Sequence, residues 1–277
     1  MDARSRWIAS LGDTPQSKRR IDTLILPTVG FVHERMAAGA KAVGINGPQG
    51  AGKSTLAEQL VATLGWEGRR ALAISVDDFY LTNVEQRALA ATHPGSPYLE
   101  HRGYPGTHDV PLGTRTLDTL LALGPGERAR VPHYDKGAFG GRGDRAPEAS
   151  WVEVEGPLDL VVLEGWMLGF TPVDAVRDPH LVAPNRALAS YEAWHRRLQG
   201  LVHLDLVHLE DVVAFRVEAE RRRRAAGAPG LSDAEAEDYV RRFLIAYETW
   251  VPGLRSHSPI DGPTLRLRLG SDRLPVL

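Results

Sequence analysis

Gly44-Ile45-Asn46-Gly47-Pro48-Gln49-Gly50-Ala51-Gly52-Lys53-Ser54-Thr55 contains the pattern G-x-x-x-x-G-K-[ST], running from Gly47 to Ser54. An apolar run, Ala42, Val43 and Ile45, leads into it, and Leu56, Leu60, Val61 and Leu64 follow at helical spacing. The glycines therefore sit between a strand and a helix, the context a phosphate cradle requires. Gly47, Gly50 and Gly52 can adopt backbone angles closed to other residues, which lets amide N–H groups converge on phosphate oxygens while the next helix points its positive end at the same place. Gln49, Ala51 and Thr55 complete the expected nucleotide-binding stretch, Lys53 is expected to reach the β- and γ-phosphates, and Ser54 to ligate Mg²⁺. A glycine turn ahead of an ordinary helix would show the same letters, but the strand-and-helix setting favours the cradle.

Working outward, the 277-residue chain is 43% hydrophobic, enough for one large α/β domain with additions. Its net charge of -2 gives no basic surface for nucleic acid, although a small anion needs only a local arginine cluster. With no cysteine, disulfides, cysteine-based zinc sites and thiol nucleophiles are excluded. Met1 to Trp7 lacks the apolar core of a signal peptide, and Ile21 to Val32 is broken by Asp22, Pro27 and Gly30, so a soluble cytoplasmic protein with no membrane partner is expected. Lys18, Lys41, Lys53 and Lys136 are the only lysines among 33 basic residues. A chain that prefers arginine keeps lysine where a compact point charge suits a phosphate, though codon bias alone can scatter a few.

Four more apolar segments read as buried strands: Ala71 to Val76, Leu158 to Leu163, Leu201 to Leu209 and Leu265 to Leu269. Their alternation with helical pattern predicts an α/β fold, a mainly parallel sheet between helical layers, with ligands beyond the carboxyl ends of the strands. Ser232 to Glu235 is a capping box, followed by Tyr239, Phe243, Tyr247 and Trp250 at helical spacing, and Pro252-Gly253 is expected to end that helix. The aromatic stripe reads as packing. Leu81 to Arg145 is rich in Gly, Pro, His and Tyr, with one helix expected around Leu117 to Leu123, and reads as an insertion bearing substrate contacts.

Asp77 and Asp78 follow the second strand. Phosphoryl transfer to a hydroxyl needs a group to take the proton, and Asp77 is the candidate, with helix capping or a metal shell as the alternative use of the pair. Glu164 closes the third strand, where a charge is costly unless paired, so it is expected to face Mg²⁺ directly or through water rather than bulk solvent. Asp78, Tyr80, Arg102, His108, Asp109, Tyr134, Arg142 and Arg145 are the expected substrate contacts, because arginine grips a carboxylate in a bidentate fork and aspartate orients a hydroxyl. A charged surface loop would also carry such residues. His93, His101, His108 and His133 lack tight ligand spacing, which favours hydrogen bonding over zinc. Phe215 to Gly227 reads as a helix whose arginines either close over a triphosphate or form a solvated basic face.

Gly47 to Thr55, Ile74 to Thr82, Arg102-Gly103 with Thr107-His108-Asp109, Val131 to Lys136, Gly141 to Arg145, Val154 to Leu158 and Leu163 to Phe170 together resemble the glycerate 3-kinase family, within the phosphoribulokinase/uridine kinase group of P-loop small-molecule kinases. The resemblance implies a P-loop NTPase three-layer sandwich and ATP-dependent phosphorylation of D-glycerate, a small-molecule substrate, at its 3-hydroxyl with Mg²⁺. By position it implies Asp77 as catalytic base, Glu164 as the metal-side acid, Lys53 as a stabiliser of the transferring charge, and Arg216 and Arg224 as lid arginines. It also implies a kinase domain over 41–277, with a substrate-binding insertion at about 81–150 and a helical lid at about 216–231, behind an N-terminal helical extension over 1–40. Another acceptor (nucleoside, pantothenate or polyol), or an ATP-binding regulatory protein with no acceptor, remains open at this level.

Overall fold

The computed structural model describes residues 1–227 and 230–276. Its centre is a five-stranded parallel sheet of β1 (Ala42–Asn46), β2 (Ala71–Ser75), β7 (Leu160–Gly165), β8 (Leu201–Leu206) and β9 (Thr264–Leu269), in the order β2-β7-β1-β8-β9. Every residue of β1, β7 and β8 is buried, so both faces of these strands are covered, which is why they read as near-continuous apolar runs. After β1 the chain builds β2 and β7 on one side and then crosses to β8 and β9 on the other. That reversal opens a crevice at the carboxyl end of β1.

The strand ends differ from expectation for local reasons. β7 begins at Leu160, where it meets Ala71; one residue earlier the Asp159 carboxylate accepts the Arg70 N–H at 2.7 Å in place of a ladder carbonyl. Glu164 therefore lies within the strand, opposite Ser75 on β2 and Ile45 on β1, rather than just beyond it. β2 stops at Ser75 and Val76 opens a 3₁₀ turn through Phe79. β8 stops at Leu206, where its neighbour β9 runs out at Leu269.

Around the sheet, α4 (Lys53–Trp66) leaves the glycine loop and packs on β1, β2 and β7. Before β1 come α1 (Ala3–Leu11), α2 (Pro15–Arg20), a π-helical stretch at Ile21–Ile25 and α3 (Leu26–Ala37). Buried Trp7 ties α1 to α4 by donating its indole N–H to Thr63 Oγ1 at 2.9 Å. The segment from 81 to 150 holds more structure than one helix: α5 (Asn83–Thr92), α6 (Val110–Ala122), β3 (Arg128–Val131), which pairs antiparallel with β6 (Val152–Glu155), and β4 (Tyr134–Asp135) paired with β5 (Asp144–Arg145). α6 starts well before Leu117 because Asp109 caps it, accepting the Leu112 N–H at 2.9 Å.

Short helices α7 (Val182–Ala187) and α8 (Glu192–His195) precede β8, and α9 (Asp211–Ala225) and α10 (Asp233–Ser256) follow it. The Ser232–Glu235 capping box starts α10 as expected, and Phe243, Tyr247 and Trp250 are buried along it. Pro252 does not end this helix, which continues to Ser256. The last turn buries Val251 and Leu254, and that apolar contact offsets the backbone hydrogen bond that proline removes. No helix among the described residues is long and apolar enough to cross a membrane.

Leu163 is fully buried on the central part of β7. Leu163→Ala is expected to lower the unfolding free energy by about 2–5 kcal/mol, read as a lower urea midpoint at unchanged m value.

Candidate active site

β1 delivers the glycine loop to the crevice, and Asn46 fixes its start by donating to the carbonyls of Trp166 at 3.1 Å and Leu168 at 2.7 Å. Gly50 is obligatory twice over: its φ is 76°, and a Cβ there would stand 2.6 Å from Phe215 Cβ on α9. Gln49 N–H donates to the Tyr247 hydroxyl oxygen at 3.1 Å, so one residue of the expected packing stripe also touches the loop. Lys53, first residue of α4, donates to the Pro48 carbonyl at 3.1 Å. Burial pushes its ammonium pKa down, against the pull of Glu164 and Asp77. Ser54 donates its hydroxyl to Glu164 Oε1 at 2.8 Å, and the Glu164 side chain is almost wholly buried. Thr55 follows on an exposed turn of α4.

The second acid reaches the same place through a close approach of strands. A Cβ on Gly165 would lie 2.5 Å from Val76 Cγ2, so only glycine lets the end of β7 pack against the turn that carries Asp77. Ser75 Oγ accepts the Asp77 N–H at 3.2 Å and sets that turn. Asp77 Oδ2 then accepts from Lys136 Nζ at 2.5 Å, and the Tyr80 phenol lies beside the Asp77 carboxylate. Burial pushes the Asp77 carboxyl up, but Lys136 more than compensates, with a smaller contribution from the Tyr80 hydroxyl, and holds it below the usual carboxylate value. Lys136 in turn is raised by Asp77 despite its own desolvation. Lys53, Lys136, Asp77 and Glu164 thus act on one another within a single cluster at the sheet edge.

Asp78 faces the insertion, accepting the Tyr134 N–H at 3.3 Å with His133 Nδ1 at 3.6 Å, and burial raises its pKa. Tyr134 and His108 pack on Tyr80 with ring centroids at 5.3 and 4.3 Å. Buried His108 also shares a 2.8 Å hydrogen bond between Nδ1 and the Tyr191 hydroxyl, and desolvation pushes its pKa down to about 3, so it is neutral. Asp109 both caps α6 and accepts from Arg145 at 3.1 Å, and Arg145 also donates to the Tyr80 carbonyl. Arg102 donates to the carbonyls of Gly141, Arg142 and Lys136 and stacks over Tyr134. These two guanidinium groups brace the insertion. Arg142 is exposed, and its guanidinium makes no hydrogen bond among the described residues.

Arg216 pairs with Glu220 at 2.6 Å and lies over the Tyr239 ring at 4.8 Å, while Arg224 pairs with Asp233 at 2.7 Å. Both expected lid arginines are therefore engaged within α9 and α10. Two residues of the expected lid, 228 and 229, lie outside the described residues. Sequence reading missed Lys136 as a member of the site, although its scarcity value as one of four lysines was the available signal. It also missed the Tyr247 hydroxyl, for which a helical stripe gives no warning.

A glycine loop closing the central strand of a parallel sheet, with lysine, serine and two acids at its mouth, defines a P-loop kinase. The chain is 39% identical over 244 residues to the chloroplastic D-glycerate 3-kinase of Arabidopsis thaliana, covering 85% of this chain and 54% of that protein, so it spans about half that relative's length. It is 34% identical over 249 residues to the uncharacterized kinase mug58 of Schizosaccharomyces pombe, covering 85% of this chain and 90% of the relative. The solved D-glycerate 3-kinase of Cryptococcus neoformans superposes with a TM-score of 0.82 at 29% identity, covering 92% of this chain and 98% of that one. No protein-family model matches. The chain belongs to the D-glycerate 3-kinase family of P-loop kinases.

Lys136 is the largest influence holding the Asp77 carboxyl down. Lys136→Met leaves burial unopposed by that ammonium, so the Asp77 titration, followed by carboxyl-carbon NMR, is expected to move to higher pH. An unmoved midpoint would contradict the pairing.

Proposed function

We propose that this protein transfers the γ-phosphoryl group of Mg-ATP to the 3-hydroxyl of D-glycerate. The observation that carries the reading is the cluster itself: the Asp77 carboxylate stands with Lys53 at the mouth of the phosphate loop, beside the Ser54–Glu164 pair. The names of the Arabidopsis and Cryptococcus relatives support glycerate as acceptor.

Ser54 and Glu164 suit Mg²⁺, since a hydroxyl and a buried carboxylate 2.8 Å apart are hard oxygen donors of the kind that ion selects. When bound, the ion neutralises charge on the phosphate oxygens. Loop amides of Gly50 to Ser54 bind and orient the triphosphate, and Lys53, already desolvated, supplies a positive charge that strengthens as negative charge develops. Asp77, held below the usual carboxylate value, is ionised and takes the proton of the attacking hydroxyl at a carboxylate oxygen. Lys136 orients that carboxylate and offers its remaining donors to the substrate. Arg142 is the arginine with donors to spare for the glycerate carboxylate, whereas Arg102 and Arg145 hold the insertion in shape. Neutral His108 and Tyr80 wall the acceptor side and keep water from the base. Arg216 and Arg224 on α9 are the residues that would engage the triphosphate once their present carboxylate partners are exchanged for phosphate. A cytoplasmic location belongs to the same proposal, alongside a relative that is chloroplastic.

Incubation with Mg-ATP and a panel of acceptors tests the reading: glycerate-dependent ADP release is expected. Release only with a nucleoside, pantothenate or polyol, or release indifferent to acceptor, would refute it. Asp77→Asn is expected to lower kcat by about 10² or more with ATP affinity nearly kept, as for loss of a general base.

A further inference from the structure

The last residues of the chain reach the phosphate loop from behind. β9 ends at Leu269, and the chain folds back in a turn closed by Arg273 N–H to the Gly270 carbonyl at 2.9 Å, Gly270 N–H to the Leu274 carbonyl at 3.0 Å and Val276 N–H to the Arg268 carbonyl at 2.8 Å. Arg273 occupies the tip with φ 60°, in the left-handed region that a residue with a side chain seldom enters. Its side chain makes three contacts at once. Nε donates to the Gly50 carbonyl at 2.8 Å, an Nη donates to Glu218 on α9 at 2.5 Å, and the guanidinium carbon Cζ lies over the Phe215 ring, 4.1 Å from its centre. Phe215 is also the residue against which Gly50 is packed. Loop, α9 and C-terminal turn therefore meet at one guanidinium.

A trans peptide points its C=O and N–H in opposite directions, so a donor fixed on the Gly50 carbonyl also fixes the direction of the Ala51 N–H. That N–H lies on the Pro48 side of the loop, donating to the Pro48 carbonyl at 3.2 Å. Glycine at position 50 lets this peptide plane turn, and within the loop the single 3.2 Å bond to Pro48 opposes it. Glu218 takes Arg273 on one carboxylate oxygen and Arg222 on the other, so the guanidinium is held in a fixed orientation. The turn is held from the other end of the chain: Arg19 on α2 donates to Asp272 at 2.8 Å and to the Pro275 carbonyl at 3.0 Å, and the adjacent Arg20 donates to Gln59 on α4 at 3.0 Å.

We infer that Arg273 is a positioning residue for nucleotide binding, holding the Gly50–Ala51 peptide in a single orientation and locking α9 to the same loop, with Arg19 as its anchor. This concerns the nucleotide alone and stands whichever alcohol is the acceptor.

Binding of Mg²⁺ with a non-hydrolysable ATP analogue, measured by calorimetry without acceptor, tests it on the full chain. Arg273→Ala is expected to weaken that binding about tenfold, the loss of hydrogen bonds worth about 1.4 kcal/mol, while Tm and the acceptor KM stay close to wild type. Arg273→Lys, which keeps the charge and one bond to the Gly50 carbonyl, should recover part of the affinity. Arg19→Ala touches neither loop nor α9 and should weaken binding in the same direction by a smaller factor. It also carries the test with Arg273→Lys if Arg273→Ala does not fold. Wild-type analogue affinity in Arg273→Ala overturns the inference, and so does a loss matched by equal falls in Tm and acceptor affinity, or wild-type affinity in both Arg19→Ala and Arg273→Lys.

Discussion

Lys53, Lys136, Asp77 and Glu164 share one partly dehydrated sheet edge, where the charge of buried Glu164 is costly without partners. The two acids offset the desolvation of the lysines, and Lys136 keeps Asp77 ionised. The cluster is balanced at two positive and two negative charges, so a triphosphate arriving with its counter-ion enters a site already supplied with partners of both signs. Serine at position 54 completes the set by giving Glu164 a hydrogen bond that a metal ion can replace.

The strand order places these groups together. β7 lies between β1 and β2, so Glu164 has the glycine loop on one side and the Asp77 turn on the other. Gly165 removes the last obstacle by allowing Val76 to come within contact of the β7 backbone. A side chain there would push the base away from the phosphate loop, and catalysis by positioned groups is sensitive to displacements of that size. The insertion then closes the open side. Its glycine turn is braced by Arg102 through three carbonyls, and that brace holds the segment bearing Lys136 against Asp77.

Legibility in the sequence follows the range of the interactions. The phosphate loop, β1 and α4 were readable because glycines, lysine and flanking apolar pattern are contiguous. Asp77 and Glu164 are legible as strand-end acids, whereas the start of β7 at Leu160 is not, because Leu158 looks like a strand residue and the Asp159 side chain that takes the Arg70 N–H carries no hydropathy signal. The end of α10 was misplaced because the Pro252-Gly253 signal is local, whereas the burial that overrides it comes from the assembled core. The role of Lys136 was not readable, since it lies 59 residues from Asp77 and meets it only through the β4–β5 hairpin. Arginine letters announce charge but not how it is spent: Arg102 and Arg145 look like substrate clamps, and the fold uses their donors on backbone carbonyls and Asp109.

A perturbed acid does not by itself mark a site, as Asp205 illustrates. It is buried on β8, and although desolvation pushes its carboxyl up, Arg255 and Arg266 hold it down. Arg255 reaches it at 2.7 Å from α10 and Arg266 at 2.5 Å from β9, so both oxygens are occupied by guanidinium groups that join a helix to two strands. Asp205 is thereby spent as a structural tie. Asp77 has the same direction of shift from a different construction: one flexible ammonium, more than half exposed, and one phenol. A lysine of that kind can swing to a substrate anion and leave the carboxylate free for a proton, which two arginines locked between secondary-structure elements cannot do. What separates a base from a buried tie is therefore the mobility of the cation that keeps it ionised.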